Sequence, residues 1–73
     1  FEEARDQFRD AIRDNPWNWV AYNDLAVVCG KLGQLSDSRR ALERSVWINP
    51  RYEEGRRNLD FLRQRFPGMP GWR

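Results

Sequence analysis

The dipeptide Asn-Pro occurs twice in this chain, and the spacing between Asn15-Pro16 and Asn49-Pro50 is 34 residues. The surrounding residues repeat in class with the same spacing. Before the first copy stand Ala4, Phe8, Ala11 and Ile12, and at the same offsets before the second stand Ser38, Leu42, Ser45 and Val46. A fixed period of this length is typical of repeat proteins, which stack similar structural units. The chain is therefore expected to be built from tandem units.

Four helical segments follow from the hydrophobic periodicity. In the first, apolar residues recur every three or four positions from Phe1 to Ile12, which predicts an amphipathic helix ending near Asp14 because Pro16 follows. The second is predicted from about Asn18, a suitable N-cap residue, to Lys31. Gly33 then suits a left-handed C-terminal cap.

The third helix is expected to begin at Ser36 or Asp37 and to end at Asn49-Pro50, and the fourth to span about Tyr52 to Arg65. Strand signals are absent and the connections are short, so we predict an all-α fold of antiparallel helix–turn–helix repeats. The expected organisation is a helical domain at 1–66 and a Pro/Gly-rich tail at 67–73, forming a turn or a disordered exit. Within the domain we expect a half repeat at 1–17, a full repeat at 18–51 and a capping helix at 52–66.

Composition excludes several kinds of chemistry. The 73 residues include no histidine and one cysteine, Cys29, so there is no intramolecular disulfide, no paired-cysteine zinc site and no histidine general base. The pairs Glu2-Glu3 and Glu53-Glu54 do not converge, because adjacent helix residues point about 100° apart. We therefore expect no enzyme activity, no catalytic residue, no cofactor and no metal. No apolar run approaches the roughly 20 residues of a membrane helix, so we expect no membrane insertion and favour a soluble, cytoplasmic location.

The positions that repeat carry a recognisable pattern within the complete copy from Trp19 to Tyr52. The positions are Tyr22, Leu25-Ala26, Cys29, Gly33, Ser38, Leu42, Ser45 and Pro50. This pattern resembles the tetratricopeptide repeat (TPR), a helix–turn–helix unit of 34 residues. The half copy before it matches through Ala4, Phe8, Ala11 and Pro16. The resemblance covers about residues 1–66 and implies a fragment of an α-solenoid.

The resemblance also implies a function, namely a protein–protein interaction scaffold that binds a peptide or partner protein in a groove. The family's groove positions fall on two helices of this chain: Val20, Asn23, Asp24, Val27 and Lys31 on the second, and Glu54, Arg57, Asn58 and Phe61 on the fourth. Asn58 stands where many members place an asparagine that bonds a peptide backbone. The clamp that binds chaperone C-termini is not expected, because Asn23 and Asp24 occupy positions where it needs basic residues.

The fourth helix departs from the pattern at Arg56, Asp60 and Arg63, which replace residues that a covered helix would bury. This favours a terminal helix whose outer face meets water. Phosphate binding needs a continuous basic surface, and Asp60 interrupts the face shared by Arg56 and Arg63. We therefore expect no nucleic-acid partner.

Two alternative functions remain open. The chain could be a structural module that forms a homodimer, since about two repeats are fewer than the three usually needed for stability. The candidate self-association residues are Phe1, Phe8, Trp17, Trp19 and Trp47. Trp72, in the tail, is a docking aromatic or disordered. The other alternative is a non-catalytic segment of a larger enzyme such as a glycosyltransferase, to which TPR repeats are often attached.

Overall fold

The computed structural model describes residues 1–72. It contains four α-helices: α1 (Glu2–Asp14), α2 (Trp19–Lys31), α3 (Leu35–Ile48) and α4 (Glu53–Arg65). Connections of three or four residues join them, and the described residues include no strand. The predicted all-α class is confirmed. Within this range no helix combines the length and the apolar character that crossing a membrane requires.

The two Asn-Pro turns have the same geometry. Asn15 ends α1 with φ −141° and ψ 91°, and Asn49 ends α3 with φ −134° and ψ 91°. In each turn the asparagine Oδ1 accepts a hydrogen bond from the backbone N–H two residues later, at 3.2 Å for Trp17 and 3.1 Å for Arg51. This is an Asx turn, which asparagine forms readily. The 34-residue sequence repeat is therefore a structural repeat.

Both predicted boundaries of α2 are confirmed. Asn18 Oδ1 accepts a hydrogen bond from Ala21 N–H at 3.0 Å and caps the N-terminus. At the C-terminus Gly33 has φ +76°, its N–H bonds to the Gly30 carbonyl, and Gln34 N–H bonds to the Cys29 carbonyl. These two bonds form a Schellman motif, which needs a residue in the left-handed region.

The start of α3 differs from the prediction at Ser36 or Asp37. The helix begins at Leu35, and its N-cap residue Gln34 makes no side-chain capping bond. The Gln34 carbonyl already accepts a hydrogen bond from Ser38 N–H. Helical hydrogen bonding therefore starts directly after the Schellman motif, and Ser36 and Asp37 lie within the first turn.

The core lies where α2, α3 and α4 meet. Its buried residues are Ala26, Ala41, Leu42 and Leu62, with Leu25, Leu35, Leu59 and Phe66 packed around them. The two buried serines of α3 donate hydrogen bonds to carbonyls of α2: Ser38 to Ala26 and Ser45 to Trp19, each at 2.8 Å. Small side chains thus bring α2 and α3 into close contact. On the other side α2 packs against α1, which contributes no buried residue.

The tail beyond α4 forms turns and folds back onto the core, so of the two predicted alternatives the structure shows the turn and not the disordered exit. Met69 and Trp72 pack against the core cluster, and Trp72 Nε1–H donates a hydrogen bond to the Phe66 carbonyl at 2.8 Å. The Arg63 guanidinium lies 5.0 Å from the Trp72 ring. The physical reason is that the apolar end of the α3–α4 pair offers the tail a surface to cover. Arg73, part of the predicted tail, lies outside the described residues.

Candidate functional site

The helices α2 and α4 form the two walls of a groove with a volume of about 290 Å³. Val27 and Lys31 line the α2 wall, and Asn58 and Phe61 line the α4 wall. The floor consists of core residues, including Leu42 of α3. The structure thus brings together four residues that the resemblance assigns to a partner-binding groove.

Apolar side chains stand exposed along both walls. Phe61 is 67% exposed, and Val20 and Val27 are 45% and 44% exposed. Val20 and Val27 are seven residues apart, two helical turns, and so share one face of α2. Exposed apolar residues grouped in this way are characteristic of interaction surfaces. Lys31 and Arg57 are also exposed and add positive charge to the same region.

Asn23, which the resemblance places in the groove, is instead fully buried and cannot contact a ligand directly. Its Oδ1 accepts a hydrogen bond from Asn58 Nδ2 at 2.9 Å, which links the two groove walls. Within residues 1–72 the buried Asn23 Nδ2 has no partner of standard hydrogen-bond geometry. The predicted peptide-binding donor, Asn58, therefore already bonds within the protein. The two asparagines set the spacing of α2 and α4.

Two carboxylates lie at the other end of the same pair of helices. Burial raises the pKa of Asp24, and repulsion from Glu54 raises it further, while the Asn23 amide acts in the opposite direction. The Tyr52 hydroxyl donates a hydrogen bond to Glu54 Oε2 at 2.9 Å. Burial, followed by this bond and the negative charge of Glu54, raises the pKa of Tyr52 to about 12. Sequence reasoning used Tyr52 only as a helix boundary, and no local pattern indicated its bond to Glu54.

A second and larger cleft lies between α1 and α3, on the other side of α2, with a volume of about 590 Å³. Its floor includes Tyr22, Leu25 and Cys29, and Trp47 lies at its edge. Cys29 is fully buried, and this burial raises the pKa of its thiol. A buried, protonated thiol behaves as a small apolar residue, so Cys29 serves packing.

The five candidate self-association residues are three tryptophans near the Asn-Pro turns and two phenylalanines near or on α1. Trp17 and Trp47 are 62% and 64% exposed and stack on each other, with ring centroids 6.1 Å apart and an interplanar angle of 21°. Trp19 is also exposed, at the start of α2. Phe1 is exposed at the N-cap of α1, and Phe8 is half-buried on that helix. The two stacked tryptophans join the turn after α1 to the end of α3.

The chain is similar to the protein named trafficking protein particle complex subunit 12 in Mus musculus and in Homo sapiens. Both are 44% identical to it over 52 residues, which is 71% of this chain. The matched stretch is 6% of the mouse protein and 7% of the human protein, so the chain spans a small part of these relatives. No protein-family profile matches the chain, and no solved structure matches it.

Proposed function

We propose that this chain is a protein-interaction segment of the tetratricopeptide type, which binds an extended segment of a partner protein along the groove between α2 and α4. The observation that carries the proposal is the exposure of Phe61 opposite Val27, with Lys31 and Asn58 on the same two walls. Aromatic side chains in such positions dominate the free energy of many protein interfaces.

The groove would act as a preformed site. The bond between Asn58 and Asn23 fixes α4 against α2, and the hydroxyls of Ser38 and Ser45 fix α3 against α2. Because these links are internal, binding has to order the partner but not the walls. A smaller loss of conformational entropy leaves more of the contact energy as affinity.

The similarity to trafficking protein particle complex subunit 12 supports a role among protein partners. That relative is, by its name, a component of a protein complex. We propose that the present chain likewise contributes a contact within a larger assembly, and that it carries no catalytic chemistry of its own. Two observations support the absence of catalytic chemistry. Cys29 is buried and its thiol is neutral, and the side chains of the adjacent pairs Glu2-Glu3 and Glu53-Glu54 point in different directions on their helices.

Peptide selection followed by a matched pair of variants tests the groove. Random peptides displayed on phage would be selected on the purified protein, and their dissociation constants measured for Phe61→Ala and Asp60→Ala. Asp60 is the neighbouring residue on α4 and is also exposed. We expect Phe61→Ala to weaken binding at least ~10-fold, the loss typical of an anchor residue, and Asp60→Ala to leave it nearly unchanged. Selected peptides that bind both variants equally would contradict the proposal.

Self-association is a second candidate, supported by the exposed Phe1 and by the absence of buried residues in α1. We propose that a second copy would cover this helix. Light scattering after size separation would then give a molar mass that rises with protein concentration, and Phe8→Glu would abolish the rise. A constant monomer mass over the whole range would exclude this candidate.

A further inference from the structure

We propose that the cleft between α1 and α3 is a second binding surface, which takes an acidic segment of a partner protein that carries an aromatic or large aliphatic side chain. This surface lies on the opposite side of α2 from the groove and shares none of the groove's lining residues. It is therefore independent of the proposed groove function.

The floor of the cleft accepts an apolar group. Tyr22 and Leu25 of α2, both half-buried, are the accessible apolar residues of the floor, whereas Ala41 of α3 and Cys29 are buried. A volume of about 590 Å³ lies within the range of sites that enclose small ligands, which typically hold about 300–1,000 Å³. One large partner side chain fits within this space.

The charge at the cleft favours an anion. Arg9 lines the α1 wall and Arg44 the α3 wall, and within residues 1–72 neither forms an ion pair. Both acids of the cleft are already paired, Asp37 with Arg40 at 3.5 Å and Glu43 with Arg39. After burial, the charge of Arg9 is the largest influence on the Cys29 thiol, and it favours the negative form. Two unpaired guanidinium groups thus face the cleft.

Trp47, at the edge of the cleft, supplies an aromatic surface against which a partner side chain can pack. Trp47 is 64% exposed, so a partner can cover its ring, and stacking on Trp17 holds the ring in position. The Arg44 guanidinium lies 5.3 Å from the Trp47 ring, a cation–π contact that positions its charge beside the apolar floor. Tryptophan, tyrosine and arginine together are the residue types enriched at binding hot spots.

A protein segment fits this arrangement better than a nucleic acid. A phosphate backbone needs a continuous basic track, whereas Asp37 and Glu43 line this cleft together with its arginines. A peptide can place its carboxylates at Arg9 and Arg44 and avoid both acids. The stacked tryptophans could still hold bases, so an oligonucleotide belongs in the test.

The experiment measures the fluorescence anisotropy of a fluorescein-labelled peptide, Glu-Glu-Leu-Phe-Glu-Glu, during titration with the purified protein. We expect saturable binding that Arg44→Glu and Trp47→Ala each weaken at least ~10-fold. Arg56→Glu is the matched control, since Arg56 is exposed on α4 and gives the same change in net charge. It should weaken binding by no more than about twofold, as expected for a distant charge. Phe61→Ala should leave binding unchanged, which separates this cleft from the groove.

Circular dichroism of each variant establishes that it is folded. Absence of saturable binding by the wild-type protein would overturn the proposal, as would an equal loss in Arg56→Glu. A peptide in which serine replaces leucine and phenylalanine should bind at least ~10-fold more weakly, and unchanged binding would also overturn it. Tighter binding of a short oligodeoxythymidylate through Arg44 and Trp47 would assign the cleft to nucleic acid instead.

Discussion

Ser45 occupies the point where three helices approach one another. Its side chain is fully buried and donates a hydrogen bond to the Trp19 carbonyl of α2. On the other side stands Gly55 of α4, where an added Cβ would lie 3.2 Å from Ser45 Oγ and 3.0 Å from Tyr52 Cδ2. The 34-residue spacing pairs position 45 with Ala11 and position 55 with Ala21, so the sequence repeat is consistent with a small residue at both positions.

Replacement of Ser45 by alanine tests how much this hydroxyl contributes to the stability of the fold. We expect Ser45→Ala to lower the free energy of unfolding by about 1 kcal/mol, because a buried hydrogen bond is lost while the volume changes little. Ser36→Ala, at an exposed position in α3, is the control and should stay within about 0.5 kcal/mol of wild type. Urea denaturation measures both. Equal stability of the two variants would show that the hydroxyl contributes nothing net.

The pKa of Tyr52 gives a second prediction at this scale. The folded protein holds the pKa at about 12, above its ordinary value of 10. The folded state therefore keeps this proton to higher pH than the unfolded state. Its contribution to stability is complete below pH 10 and is lost as the pH rises through about 12.

Substitution of Glu54 should move this titration. Glu54→Gln removes both the charge and the charged acceptor, so we expect the pKa of Tyr52 to fall toward 10 without reaching it, because burial is the largest cause. Ultraviolet absorbance of tyrosinate, in a Tyr22→Phe background, follows the titration. Glu53→Gln is the control, and a fall of the same size in that variant would contradict the role of the direct bond.

At the scale of the helices, the two glycines at the end of α2 should respond to alanine in opposite ways. Gly33 has φ +76°, so Gly33→Ala should destabilise the protein by about 1–2 kcal/mol through backbone strain alone. Gly30 lies in helical backbone, and an added Cβ would lie 3.8 Å from Ser38 Oγ, an ordinary contact. Gly30→Ala should therefore stabilise the protein by up to about 1 kcal/mol. Thermal unfolding monitored by circular dichroism measures both changes. Shifts of the same sign would contradict the assigned conformations.

The helices were predictable because their signals are local. Hydrophobic periodicity, the Asn18 cap, Gly33 and the two Asn-Pro turns all act within a few residues of the sequence, and the structure contains all of them. The start of α3 was misplaced by one or two residues, because the Schellman motif at Gln34 outweighed the capping preference of Ser36 and Asp37. Local competition of this kind shifts boundaries without changing the number of helices.

The candidate site was less predictable because burial depends on contacts between helices. The resemblance selected residues of α2 and α4, four of which line one groove, because helical periodicity sets which residues share a face. Their role in binding a partner stays a prediction. The resemblance could not separate Asn23, which is fully buried, from Val27, which is exposed. The burial of Asn23 arises from the packing of α4 and from the hydrogen bond to Asn58, which lies 35 positions later in the sequence.

At the scale of the whole molecule, the tail and α1 lie at opposite ends of the helical array and differ in how well they are covered. The α1 end has exposed apolar residues, whereas the α3–α4 end is closed by Met69 and Trp72. Gly71 makes this closure feasible, because its φ of +101° is a backbone conformation that residues with a side chain rarely adopt. The turn-rich segment from Pro67 to Trp72 thus acts as a structural cap.

Truncation of the Trp72 side chain tests whether this cap stabilises the fold. Trp72 is half-buried and bonded to the Phe66 carbonyl, so we expect Trp72→Ala to lower the free energy of unfolding by about 2 kcal/mol, mainly through lost apolar burial. Trp47→Ala removes the same side chain from a site that is 64% exposed and should cost less than about 1 kcal/mol. Urea denaturation of both variants gives the comparison. If Trp47→Ala proves as costly as Trp72→Ala, burial of the tail tryptophan does not explain the cost, and the prediction for the cap is wrong. If neither variant changes stability, α3 and α4 fold without the cap, and the tail is then free to leave the surface it covers.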